Sequence, residues 1–107
     1  MLLNNGANIN AQIGYFGTAL QAAASRGHQE LAQMLLNNGA NIDAQSGRYG
    51  TALQAAASRG HKELVQVLLK NGANIDAQSG HYGTALQAAA SQGHLDIVEM
   101  LLNRQAN

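Results

Sequence analysis

Apolar positions fall into two patterns that alternate along the chain. In the first, Leu53 sits in an Ala-rich run, Thr51-Ala52-Leu53-Gln54-Ala55-Ala56-Ala57-Ser58-Arg59. Thr followed three residues later by Gln is a capping-box spacing. The Thr hydroxyl can accept from the Gln54 backbone N–H while the Gln side chain reaches back to the Thr N–H. The Ala run favours helix and leaves a thin face that neighbours can approach closely. Gly60 then offers the left-handed conformation with which helices often end. A second helix is expected at once. Glu63 lies in its first turn, at the positive end of the dipole. Leu64, Val65, Val67, Leu68 and Leu69 form an apolar face too broad for a helix covered on one side only. Asn71-Gly72 could signal a hairpin, but after an apolar helical run it reads as a helix C-cap. The stretch from Asn74 to Gly83 is polar and turn-rich apart from Ile75, and predicts an extended, hairpin-like loop.

The same succession recurs. Gly-Thr-Ala-Leu-Gln-Ala-Ala-Ala-Ser begins at Gly17, Gly50 and Gly83, a spacing of 33 residues each time. Units spanning 8–40, 41–73 and 74–106 agree at 25 of 33 positions (first with second) and at 23 of 33 (second with third). Internal duplication at this period implies stacked repeats that share a continuous core. Residues 1–9 repeat residues 34–42 without a change. The expected organisation is therefore a truncated repeat end over 1–7, three repeats, and the start of a further unit at Asn107. The chain reads as a piece of a longer array.

Helix, tight turn, helix and projecting loop in 33 residues resemble the ankyrin repeat. Thr51 to Ala56 is similar to that family's Thr-Pro-Leu-His-x-Ala. Gly60-His61-Lys62-Glu63-Leu64-Val65 resembles its Gly-His-x-Glu-Ile-Val, and Leu68-Leu69-Lys70-Asn71-Gly72-Ala73 its Leu-Leu-x-x-Gly-Ala. The resemblance covers essentially the whole chain. It implies an all-α solenoid of helix-turn-helix units with projecting hairpin-like loops. Three departures stand out. Ala19, Ala52 and Ala85 replace the helix-starting Pro, giving up a preset φ but keeping helix propensity. Gln21, Gln54 and Gln87 replace the His, so the cap must be made differently. Ser46-Gly47-Arg48-Tyr49-Gly50-Thr51 replaces Asp-x-x-Gly-x-Thr at the loop tip, with the Gly shifted. The Tyr-Gly-Thr-Ala-Leu-Gln form resembles the ankyrin arrays of fungal intracellular receptors of the nucleotide-binding, immune-receptor-like type.

Composition narrows the functional classes. Six Lys plus Arg balance six Asp plus Glu, which argues against nucleic acid as partner, since phosphate neutralisation wants a basic excess. No basic cluster suggests a membrane surface, and no apolar run is long enough for a span. There is no Cys for a disulfide frame or thiolate chemistry. No basic start and apolar stretch suggests a signal peptide, so an intracellular, cytoplasmic location is expected. With no Trp, one Phe and three Tyr, the core must come from Leu, Ile, Val, Met and Ala. That works when one small packing unit is used repeatedly.

No catalytic set, metal site or cofactor is expected. His28, His61 and His94 occupy one position in successive units, and stacked helices lie roughly 8–10 Å apart, against His–Zn bonds of about 2 Å. Bonding to adjacent backbone explains them better. Glu30, Glu63 and Asp96 recur once per unit as dipole partners. Ser25, Ser58 and Ser91 have no His-and-carboxylate set, and no Gly-rich segment reads as a phosphate loop. Positions that vary between units point elsewhere: Tyr15, Arg48 and His81 at the loop tip, and Arg26, Arg59 and Gln92 where the first helix ends. Ile13, Ser46 and Ser79 vary too. Core positions must fit the same neighbour, whereas loop tips are free to vary, and aromatic and Arg residues are enriched at binding hot spots.

The expected role is a protein–protein interaction module. Its partner would meet loop tips and a concave first-helix face through Tyr15, Phe16, Arg26, Arg48, Tyr49, Arg59, His81, Tyr82 and Gln92. Drift on a solvated edge would produce the same variation. A structural spacer within a longer array, or an engineered repeat scaffold without a native ligand, is the alternative, because near-identical units offer little specificity. The third unit is expected to expose Leu95, Ile97, Met100 or Leu101 and so permit end-to-end self-stacking. Arg104-Gln105 in place of Asn71-Gly72 hints at a degenerate last unit.

Overall fold

Each Thr-x-x-Gln segment closes the capping box that its spacing predicts. In the computed structural model, which describes residues 9–11, 18–45, 48, 50–78, 80–81 and 83–106, Thr51 Oγ1 accepts from Gln54 N at 3.2 Å and Gln54 Oε1 accepts from Thr51 N at 2.7 Å. Thr18 with Gln21 and Thr84 with Gln87 repeat the arrangement. These boxes start three first helices, α1 (Ala19–Arg26), α3 (Ala52–Arg59) and α5 (Ala85–Ser91), each followed by a second helix: α2 (Gln29–Asn37), α4 (Lys62–Lys70) and α6 (Leu95–Ala106). The connection from first to second helix is a Schellman turn. Gly60 N donates to Ala57 O at 3.3 Å and His61 N to Ala56 O at 3.0 Å, which satisfies carbonyls the helix would otherwise orphan. Asn71-Gly72 ends α4 in the same way, with Ala73 N donating to Leu68 O at 3.0 Å. The C-cap, rather than a hairpin, is what forms.

The helices make two layers. α3 packs between α1 and α5, and each first helix pairs with its own second helix. The second helices touch one another far less intimately. The cause lies in side-chain size. Facing Ala residues let first helices approach closely, while the second helices carry the bulkier Leu, Val and Met. The extents of the stack are 41 × 24 × 20 Å. Among the described residues there is no strand. The loops meet instead through isolated bridge positions at Gly50 and Gly83 and a 2.8 Å bond from His81 N to Arg48 O.

The broad apolar face of α4 is used on two sides. Leu64, Val65, Leu68 and Leu69 are buried and Val67 half-buried. Comparison of equivalent positions shows which way each one looks. Leu31 is 42% exposed, whereas its equivalents Leu64 and Ile97 are 2% and 0% exposed, so this position faces the preceding repeat. Leu69 is 8% exposed but Leu102 is 49%, so that position faces the following one.

The expectation for the third unit is corrected accordingly. Ile97 and Leu101 are fully buried, against the repeat behind and the helix pair itself, and Met100 is half-buried. Leu95, at 69% exposure, and Leu102 are the open apolar residues. Arg104-Gln105 has a visible consequence: without a Gly to turn left-handed, α6 runs on to 12 residues where α2 and α4 have 9. Gln105 Nε2 then donates to Asp76 Oδ1 at 3.1 Å.

Leu68 is 0% exposed between the layers. Leu68→Ala should cost about 2–5 kcal/mol through lost transfer energy and a residual cavity, measured by urea denaturation. A loss below about 1 kcal/mol would contradict the α4 register.

Candidate protein-binding surface

Three ladders of polar contacts hold successive repeats in register and set the loop positions. The first is built by the Gln of the capping box. Gln21 Oε1 accepts from Thr18 N at 2.6 Å, while its amide nitrogen donates to Ala44 O at 3.3 Å and also to Gly50 O. Both carbonyls belong to the next repeat's loop. Gln has an acceptor and two donors on one amide, so a single side chain caps its own helix and clasps the loop beyond. This is how the cap is made without the family's His. Gln21 and Gln54 are buried, whereas Gln87, with no described repeat beyond it, is exposed and keeps its 2.8 Å contact to Thr84 N.

The second ladder belongs to His. His61 Nε2 lies 3.1 Å from Ser25 O and His94 Nε2 lies 3.1 Å from Ser58 O. A carbonyl only accepts, so Nε2 carries the hydrogen in each case. The expectation that these His bond to adjacent backbone is sharpened: the partner is the last turn of the preceding repeat's first helix, 36 residues back in the chain. That contact gives an orphan helix-end carbonyl a donor. It also explains a second demand on Gly60. Its φ is +81°, and a Cβ there would stand 2.7 Å from the His94 ring. Gly27 meets His61 in the same way.

The third ladder runs along the loop bases. Asn10 Oδ1 accepts from Asn41 N at 2.7 Å, and Asp43 Oδ1 from Asn74 N at 2.8 Å. Among the described residues, no buried side-chain nitrogen or oxygen lacks a hydrogen-bond partner.

On this frame Arg26 and Arg59 are the last residues of α1 and α3, both exposed, and Gln92 is exposed just past α5. Arg48 and His81 are exposed at the loops and joined by the backbone bond already described. Tyr15, Phe16, Tyr49 and Tyr82 lie outside the described residues, as do Ile13, Ser46 and Ser79. One expectation changes. The middle first helix offers no open face, because Ala52 to Ser58 are all buried and only Arg59 is exposed. Neighbouring helices on both sides and α4 behind leave that helix exposed at its end alone. Ser58 Oγ turns inward and donates to Ala55 O at 3.0 Å.

A mixed-charge groove of about 340 Å³ lies on the opposite layer, lined by Lys62, Gln66, Asp96, Glu99, Met100, Asn103 and Arg104. Among the described residues, no group of three or more His, Asp or Glu is placed to hold a metal ion. No described helix is long and apolar enough to cross a membrane.

Gln21→Ala removes the clasp and leaves Ala44 O and Gly50 O short of a buried donor. It should destabilise the chain by about 1–3 kcal/mol, with faster hydrogen exchange in the 44–51 loop. An unchanged urea midpoint would show that the clasp adds nothing.

No curated protein matches the sequence. A family model described as ankyrin repeats (three copies) matches residues 1–79 and again 44–107, which together span the chain. Ankyrin repeats in general are non-catalytic modules that bind other proteins. Matched along its whole length and built as stacked helix pairs, the chain belongs to the ankyrin-repeat family.

Proposed function

We infer that the chain is a protein-interaction module whose partner lies across the loop tips and the ends of the first helices. The observation that carries this reading is the placement of Arg48 and His81. They are two of the positions that differ between otherwise near-identical units, they are exposed, and the 2.8 Å bond between their backbones holds them side by side. The ladders beneath them pre-organise the strip, which lowers the ordering cost of binding. Tyr49 and Tyr82 follow these positions in the sequence, Tyr15 and Phe16 are the equivalent pair in the first unit, and the four complete the proposed contact set, with Arg26, Arg59 and Gln92 at its far edge. The partner touches helix ends rather than a continuous first-helix face.

A structural spacer is the second reading. It is favoured by 25 of 33 identical positions between the first two units. In that reading the units over 8–40, 41–73 and 74–106 set length and curvature. Exposed Leu95 and Leu102 would support a further stacking contact, including one between copies. An engineered scaffold would have the same appearance.

Arg48→Ala combined with Tyr49→Ala should weaken binding of a protein partner by about tenfold or more while leaving the thermal midpoint unchanged. Unchanged affinity would sink the loop-tip strip as the contact surface. Deleting residues 41–73 separates the readings. A spacer should tolerate the loss with altered geometry, seen by small-angle scattering, whereas a binding strip should lose its partner.

A further inference from the structure

A position that meets a neighbouring repeat is revealed by the one unit in which that neighbour is missing. Ala19 is exposed where its equivalents Ala52 and Ala85 are buried, and Ala22 is half-buried where Ala55 and Ala88 are fully covered. With Leu31, these two mark the backward-facing side of the first repeat. At the opposite end Ala90 is exposed where Ala24 and Ala57 are buried, and Leu86 is half-buried where Leu20 and Leu53 are buried. With Leu102, they mark the forward-facing side of the third repeat. Solenoids usually close their ends with polar side chains. Here both ends keep the small and apolar residues of an internal junction.

The polar parts of a junction are present as well, half at each end. Inside the stack His61 lies against Gly27 and bonds Ser25 O, and His94 lies against Gly60 and bonds Ser58 O. Gly93 has the same left-handed φ, +77°, yet a Cβ there would meet nothing within 4 Å. A hollow of about 370 Å³ at this place is lined by Ala90, Gly93, His94, Leu95 and Val98. His28, the equivalent imidazole at the other end, is exposed. Gln87 is exposed too, at the position from which Gln21 donates to the next repeat's loop.

We propose that these two end faces bind each other between copies of the chain, head to tail, with His28 of one copy seated against Gly93 and Ser91 O of another. Continuity with the internal junctions names the occupant. Successive units agree at 25 and 23 of 33 positions, so a third repeat offers a first repeat nearly the surface that internal neighbours offer one another. In this register residues 100–106 of one copy take the place that residues 1–7 of the other hold in the repeat pattern, and the two segments match at five of seven positions. The incoming helix pair replaces that segment with nearly the same side chains, and adds α5 and the start of α6 to cover Ala19, Ala22 and Leu31. Because the contact joins two different faces, every copy keeps one of each, and association runs on past the dimer. The proposal gives the stacking contact of the spacer reading an occupant and a register, and it is independent of the loop-tip strip.

Sedimentation velocity of the chain over a range of concentrations tests this. The average mass is expected to rise with concentration beyond that of a dimer. Ala19→Arg and Ala90→Arg each put a charge on an exposed end-face residue, so both should melt as the unaltered chain does and both should be monomeric. Mixed in equal amounts they should pair one to one and stop, because each supplies the face that the other has lost. His28→Ala should weaken association by about threefold to tenfold, the worth of one hydrogen bond. A chain that stays monomeric up to about 1 mM would overturn the proposal. Association blocked by Ala90→Arg but not by Ala19→Arg would overturn it in favour of a two-fold contact between forward-facing ends. Undiminished association in His28→Ala would overturn the register. Arg48→Ala combined with Tyr49→Ala should associate as the unaltered chain does, so failure here and failure of the loop-tip reading are separate results.

Discussion

The close approach of α1, α3 and α5 is the constraint from which the rest of the structure follows. A helix with neighbours on two sides and a partner behind it can carry little bulk, and α3 meets that condition with Ala at four of its eight positions. Its one large apolar side chain, Leu53, is 1% exposed. The second helices carry Leu, Val and Met and are held further apart. A larger residue at Ala55 or Ala56, both 0% exposed, would have to push a neighbouring helix away.

Close approach also brings backbone polar groups of one repeat within reach of side chains from the next, and the ladders use that proximity. His61 supplies a donor to the end of α1, and Gln21 supplies donors to the loop ahead of α3. Each contact joins residues of successive repeats, so satisfying one repeat's orphan groups is the same act as docking its neighbour. The loops consequently have little freedom at their bases even though their tips are exposed. Acids at the starts of the second helices favour the helix dipole, as Arg26 and Arg59 do at the ends of the first.

Much of the fold could be read from the residues because its signals are local. Capping boxes, the Gly turns and the Asn-Gly terminators act across three to five positions, and a period of 33 residues repeats them. The replacement at Arg104-Gln105 had a readable sign as well, since a missing Gly removes the left-handed turn that would stop α6.

Other features depended on contacts that no local pattern encodes. The apolar stripe of the third unit does not say which of its residues faces backward, so Ile97 and Leu101 looked as open as Leu95, while Leu102, which is open, went unnamed. Gln21 reads as a cap, but its second role depends on carbonyls 23 and 29 residues further on. His61 reads as a helix-start residue, yet its partner lies 36 residues earlier. The first helix of the middle repeat looked available to a partner until its neighbours were in place. Sequence by itself determined the elements, their ends and their repetition, because short-range hydrogen bonding and periodicity set those. Tertiary structure decided which faces are spent on stacking and which remain for a partner, because burial belongs to the neighbours and not to the helix.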